Sequence, residues 1–156
     1  TALVDDATTV GVANSIFVSN DDVYVVGWRM ETGGTGTATL WKNENPTYLT
    51  ANKSDAFSVF IADNKVYVAG TEKRDDKMRA VLWIDGMPTI LSKDEADKAH
   101  ALSVFVIDND VYVAGWEEDA GGKRAVLWKN GTPTILDAGA TDAYAQSVYV
   151  VKREKK

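Results

Sequence analysis

The sequence contains no cysteine, only three prolines and a single histidine in 156 residues. Without cysteine there can be no disulfide and no thiolate metal site, and the lack assigns no redox compartment. Basic residues are outnumbered, with 17 Lys and Arg against 23 Asp and Glu, for a net charge of −6. That balance argues against a phosphate-backbone binder, which needs clustered Lys and Arg. No apolar run approaches the roughly 18 residues of a membrane span. Nothing at the start reads as a secretory signal. Low-complexity segments and linkers are absent.

What the chain has is repetition. Ser103–Leu136 reads SVFVIDNDVYVAGWEEDAGGKRAVLWKNGTPTIL, and Ser58–Leu91 and Ser15–Leu49 are two further copies. Thr1–Leu3 matches the end of a copy and Ser147–Val150 the start of another. The marker serines Ser15, Ser58, Ser103 and Ser147 are spaced by 43, 45 and 44 residues. A fixed period in this range signals a solenoid, a propeller or an array.

Each copy divides into four strands, A to D. Strand A (SIFV, SVFI, SVFV, SVYV) is continuously apolar, as expected when both faces are covered. Asn and Asp then make tight turns at Ser19–Asp22, Ala62–Lys65 and Ile107–Asp110. Strand B is VYVVGW, VYVAGT or VYVAGW, and its Gly27, Gly70 or Gly115 suits close backbone approach or a bulge. Longer, variable loops follow at Arg29–Thr37, Glu72–Arg79 and Glu117–Arg124. Strand C ends at the hairpin pairs Asp85-Gly86 and Asn130-Gly131, whereas the first copy has Asn43-Glu44-Asn45, an expected lengthening. Strand D opens at Pro46, Pro88 or Pro133, and proline suits an edge strand. Ser92–Ala99 is the one helix-like stretch; it has no apolar face and reads as a loop. The Lys152–Lys156 tail reads as charged and frayed.

Four antiparallel strands per period of about 44 residues make one propeller blade. The expected fold is therefore all-β: three complete four-stranded antiparallel blades plus one extra strand at each end. The expected divisions are 1–14 (end of an incomplete blade and connection), 15–57, 58–102 and 103–146 (blades), and 147–156 (first strand of the next blade and tail). Tyr24, Tyr67 and Tyr112 on strand B and Trp41, Trp83 and Trp128 on strand C recur in place and read as packing between blades. Closed propellers have about four to eight blades. Three leave bare faces at both ends, so the chain reads as a piece of a larger ring or as one closed through partner chains.

The pattern resembles kelch and galactose-oxidase-like propellers, but lacks the double glycine that kelch repeats carry after strand B. More closely, the VYVAG…LWKNG…TIL unit resembles a repeat of uncharacterised extracytoplasmic bacterial proteins of the Bacteroidetes type. The resemblance spans nearly the whole chain. It implies the fold and an extracytoplasmic setting. Function it leaves open, because propellers host enzymes, lectins and scaffolds alike.

Four aligned serines cannot each be a nucleophile needed once, so they read as structural. His100 sits three residues before Ser103, where the other copies have Val12, Asp55 and Tyr144, beside the constant Ala13, Ala56, Ala101 and Ala145. Variation inside a constant frame is what a site grafted on a scaffold would show. The loops between D and A and between B and C share one face, and loops on a rigid scaffold are where binding groups sit. Asp55, His100 and Tyr144 near the axis, with Arg29, Arg74 and Glu117 at the rim, are the candidate ligand-binding residues. No stretch has the spacing of a calcium loop, and no cofactor or metal is expected. The reading is a non-enzymatic binding module that self-associates through blade faces or edge strands and takes a glycan or protein ligand. The alternatives are a hydrolase or lyase using carboxylate or histidine chemistry in the central cavity, and a propeller fragment without activity of its own.

Overall fold

The computed structural model describes Leu3, residues 8–137 and residues 142–152. Among these residues there is no helix, and all regular structure is β. Three antiparallel four-stranded units follow one another. The first holds β1 (Thr9–Ser19), β2 (Asp22–Glu31), β3 (Thr37–Lys42) and β4 (Asn45–Tyr48). The second holds β5 (Ser54–Ala62), β6 (Lys65–Arg74), β7 (Lys77–Ile84) and β8 (Met87–Ile90). The third holds β9 (Lys98–Ile107), β10 (Asp110–Asp119), β11 (Gly122–Lys129) and β12 (Thr132–Ile135). Within each unit the strands pair in chain order. A single parallel pair, Met78 with Lys98, joins the second unit to the third.

The turns follow from their residues. Asn20-Asp21, Asp63-Asn64 and Asp108-Asn109 all have positive φ, the signature of two-residue hairpins that match strand twist. The Asn43-Glu44 turn is not lengthened. Lys42 pairs with Asn45 directly, and Glu44 takes φ 73° where its counterparts Gly86 and Gly131 take 80°. Asn43 supports this turn by accepting from Val23 N–H at 2.8 Å, as Asn130 does from Val111 at 2.8 Å. The proline strands lie where expected: Pro46, Pro88 and Pro133 stand opposite Trp41, Trp83 and Trp128, each on a strand with one neighbour.

Several boundaries differ from the sequence expectation. The strands of type A begin well before the marker serines, at Thr9, Ser54 and Lys98, so Thr9–Asn14 is strand and not connection. The B–C hairpins also extend further, which puts Arg29, Arg74 and Glu117 on strands instead of in loops. The reason is that antiparallel pairing continues past the glycine, for instance Glu117 with Arg124 and Arg29 with Thr37. Of the strands of type A, β5 and β9 are covered on their faces, whereas β1 is largely exposed. Ser147–Val150, expected as a strand, joins no ladder. Thr1 and Ala2 of the expected first strand, and residues 153–156 of the tail, lie outside the described residues. Ser92–Asp97 is a loop, and β9 begins at Lys98.

The core lies between units. Trp83 is fully buried against Tyr24, Val26 and Leu49 of the first unit, and Trp128 against Tyr67, Ala69 and Leu91 of the second. Trp41, the third equivalent, is also buried and donates its indole N–H to Leu3 O at 3.1 Å. Each of these two junctions thus sets the tryptophan of one unit against the leucine that follows the last strand of the preceding one. Burial of this apolar surface stabilises by about 25 cal/mol per Å².

Two outcomes are expected. Truncation of the buried ring in Trp83→Ala should cost roughly 3–5 kcal/mol, the range for a large buried aromatic; a melting temperature within two degrees of the parent would contradict the packing. Glu44→Gly should stabilise by roughly 1 kcal/mol, because the left-handed backbone strains any residue with a Cβ. Chemical denaturation gives both free energies, and a thermal melt gives the melting temperature.

Candidate functional site

The site is built by one irregularity repeated in each unit. Pairing of β1 with β2 shifts between Ala13 and Ser15, of β5 with β6 between Ala56 and Ser58, and of β9 with β10 between Ala101 and Ser103. The extra residues are Asn14, Phe57 and Leu102. Opposite each bulge is the glycine of the VYVxG stretch. A Cβ on Gly27, Gly70 or Gly115 would come within 1.8, 2.2 and 1.9 Å of the carbonyl oxygen of Val12, Asp55 and His100 respectively. Only glycine admits this approach. The residue after the glycine then faces the variable position: Trp28 opposite Val12, Thr71 opposite Asp55, and Trp116 opposite His100.

This brings two of the candidate residues to one cavity. Asp55 and His100 both line a space of about 500 Å³, together with Trp28 and Met30 of β2, Thr71 of β6 and Met78 of β7. The Gly34–Gly36 turn and Lys53 complete it. Three units therefore contribute side chains to one concavity. Tyr144 lies a ring away: His100 stacks on Trp116 at 4.5 Å between centroids, and Trp116 meets Tyr144 edge-on at 5.8 Å. Phe57 stacks on the other side of His100 at 5.8 Å. Lys123 donates to Tyr144 Oη at 3.1 Å and lies over the Trp116 ring at 5.2 Å.

The two titratable groups are pushed in opposite directions by the same cause. Burial raises the Asp55 carboxyl to about 6 from 3.8, against the opposing hydrogen bonds from Ala56 N–H and the Asn14 amide. Asn14 Nδ2 donates to Asp55 Oδ1 at 2.9 Å. Burial lowers the His100 imidazole to about 4, with the charges of Lys123 and Lys98 adding to the effect. At neutral pH the cavity therefore presents a carboxylate and a neutral imidazole.

The three rim candidates go elsewhere. Arg29 lines a separate space of about 300 Å³ with Glu31, Tyr48 and Thr50. Arg74 is committed to Glu72, donating from Nε at 3.1 Å and from Nη2 at 3.0 Å. Glu117 is buried, and its Oε1 accepts from Lys93 N–H at 3.1 Å. Burial raises the Glu117 carboxyl, a push that the Lys93 contacts only partly oppose. Glu72 occupies the matching place in the second unit. Burial alone would raise its carboxyl too, but donors on Thr50, Asn52 and Arg74 together hold it below the ordinary value. Both glutamates anchor the loop that enters their unit, Thr50–Asn52 for Glu72 and Lys93 for Glu117.

Sequence reasoning passed over Trp28, Met30, Met78, Trp116 and Glu72. The tryptophans carried a signal, since Trp28, Thr71 and Trp116 vary directly after an invariant glycine in the three copies. Glu72 aligns with Glu117 and could have been read as the same anchor. The methionines carried none. Among the described residues no cluster of three His, Asp or Glu side chains could hold a metal ion. Comparison of the chain with protein-family models, with curated proteins and with solved structures finds no match.

The lone histidine makes the electrostatics directly measurable. The His100 ring protons should titrate near pH 4 by NMR, and a midpoint near the free value of about 6.5 would contradict its burial. Asp55 has the opposite sign. Its folded pKa is raised, so its contribution is complete below pH 4 and lost as pH rises through about 6. Asp55→Asn removes that loss. The stability of Asp55→Asn relative to the parent should therefore climb between pH 4 and pH 7, and a flat difference in urea midpoints would contradict the shift.

Proposed function

We propose that this chain is a propeller-type binding module, each four-stranded unit being one blade, and that the cavity between Asp55 and His100 takes a glycan. The observation that carries the reading is that equivalent positions in successive units bring different side chains to one cavity while the scaffold positions around them repeat. Its walls are mostly apolar, with Trp28, Met30 and Met78, and its polar side chains are Thr35, the run Lys53, Ser54 and Asp55, Thr71 and the neutral His100. Small-ligand sites have that character. A sugar ring, with C–H bonds on its faces and hydroxyls at its rim, offers the matching pattern of apolar face and polar edge. The extracytoplasmic setting is proposed on the repeat's resemblance alone, and self-association through blade faces on the exposed β1 face.

A second reading has one specific observation in its favour. A carboxyl raised to about 6 and an imidazole lowered to about 4 share the cavity, and opposed shifts of this kind mark acid–base pairs. That reading is a glycan hydrolase or lyase.

A glycan array followed by calorimetry tests both. Binding that falls at least tenfold in Trp28→Ala and in Asp55→Ala is expected. A ligand, glycan or protein, bound equally well by the Trp28→Ala/Asp55→Ala/His100→Ala triple variant would place the site elsewhere. Turnover of a bound glycan that disappears in Asp55→Asn while binding persists would favour the enzyme.

A further inference from the structure

Adjacent units are joined by a contact that repeats with little change. Ser15 Oγ accepts from Val59 N–H at 3.3 Å, and Ser58 Oγ accepts from Val104 N–H at 3.2 Å. Beside these bonds runs a column of rings: Phe17 to Phe60 at 5.0 Å and Phe60 to Phe105 at 4.9 Å. The valines following each serine pack on the preceding unit. Val59 lies in one cluster with Tyr24 and Val26, and Val104 and Val106 lie in the other with Tyr67 and Ala69.

The C-terminal segment continues this series on the third unit. Val148 N–H donates to Ser103 Oγ at 3.2 Å, and Tyr149 meets Phe105 at 5.0 Å. The segment thus takes the place that β5 and β9 take on the units before them. It is a poor substitute for them. It joins no ladder, and Tyr149 and Val151 remain 77 % and 67 % exposed.

At the opposite end of the stack the complementary face is largely exposed along β1, and among the described residues Leu3 covers it at Trp41. Ile16 and Val18 of β1 are 64 % and 60 % exposed, whereas Val59 and Val104, the counterparts of Ile16, are each 4 % exposed, and of the counterparts of Val18, Val106 is 5 % exposed and Ile61 half-buried. On the third unit, at the end that carries the segment, Leu136 is 53 % exposed, against 9 % for Leu49 and 7 % for Leu91, the leucines that meet the tryptophan of a following unit. The same register that points Val59 N–H at Ser15 points Ile16 N–H outward.

We propose that a second copy of this chain docks head to tail, with its β1 displacing residues 147–151 from the third unit. Ile16 N–H of the incoming copy then donates to Ser103 Oγ, Phe17 extends the ring column at Phe105, and Ile16 and Val18 cover Tyr112 and Ala114. Leu136 takes the place that Leu3 holds beside Trp41 of the incoming copy. The occupant is fixed by continuity: the docked face would be the junction that already occurs twice inside the chain. The segment at 147–151 thereby holds the docking face closed until a complete unit replaces it. The inference rests on reading the units as a continuing stack and makes no use of the cavity, so its failure leaves the ligand reading standing.

Light scattering of the full chain across concentration tests it. The parent should associate reversibly. Val148→Asp/Tyr149→Ala, which loosens the segment, should associate at least tenfold more tightly, and Ile16→Asp should weaken association at least tenfold in either background. Ile16 is exposed, so the variant should fold, and Val18→Asp serves as an independent second probe. A parent and a loosened variant that both stay monomeric would overturn the proposal. So would association that neither Ile16→Asp nor Val18→Asp weakens, or association that Val148→Asp/Tyr149→Ala diminishes, since the segment would then be a bridge and not a stand-in.

Discussion

One extra residue in each strand of type A governs this molecule. Asn14, Phe57 and Leu102 interrupt the pairing with the neighbouring strand, and a bulge of this kind bends a strand and re-aims its side chains. On one side of the bulge the carbonyl of Val12, Asp55 or His100 is driven against a glycine that has no Cβ to meet it. On the other side the serine hydroxyl is turned toward the next unit, where it accepts from a backbone N–H. Site and stacking contact are therefore two consequences of a single backbone feature. Gly70 is also tightly constrained from behind, since a Cβ there would lie 2.7 Å from the Trp83 ring. The tryptophan packs closely because the glycine is small.

Against this frame, polar contacts at the turns contribute modestly. Lys42 with Asp22 and Lys129 with Asp110, both at 2.7 Å, are solvent-exposed pairs, and such pairs are worth about 0–1 kcal/mol. Their role is to hold hairpin ends, alongside Asn43 and Asn130. The buried glutamates act differently. Glu72 is surrounded by donors, whereas Glu117 keeps one oxygen, Oε2, without a hydrogen bond. The third unit thus carries a costlier carboxylate at the same position. Anchoring of the entering loop is common to both, and the difference lies in how many side chains that loop supplies.

Much of the fold was legible because it repeats. Spacing of the serines, the Asn-Asp turns and the prolines located the hairpins, and recurrence of Trp41, Trp83 and Trp128 located the core. Strand ends were not legible. Thr9–Asn14 lies ahead of the repeated segment and reads as connection, yet it pairs with β2 because its partner strand simply continues. Arg29, Arg74 and Glu117 were placed in loops for the same reason. Of the candidate site, Asp55 and His100 stood out as variable residues in a constant frame, and the structure brings them to one cavity. Arg74 and Glu117 could not be told from rim residues, because their burial depends on loops whose course the sequence does not state. Met30 and Met78 enter the cavity only through the stacking of units, which no local pattern records.

The coupling of bulge, serine and stacking is most directly tested by amide hydrogen exchange in dilute protein. Val59 and Val104 N–H, bonded to serines of the preceding units, should exchange slowly, whereas Ile16 N–H, at the same register in the first unit, should exchange at least a hundredfold faster, a difference of about 2.7 kcal/mol by the tenfold rule of 1.36 kcal/mol. Ser58→Ala should accelerate Val104 without accelerating Val59. Equal protection of Ile16 and Val59, or a Val104 amide indifferent to Ser58→Ala, would contradict the account.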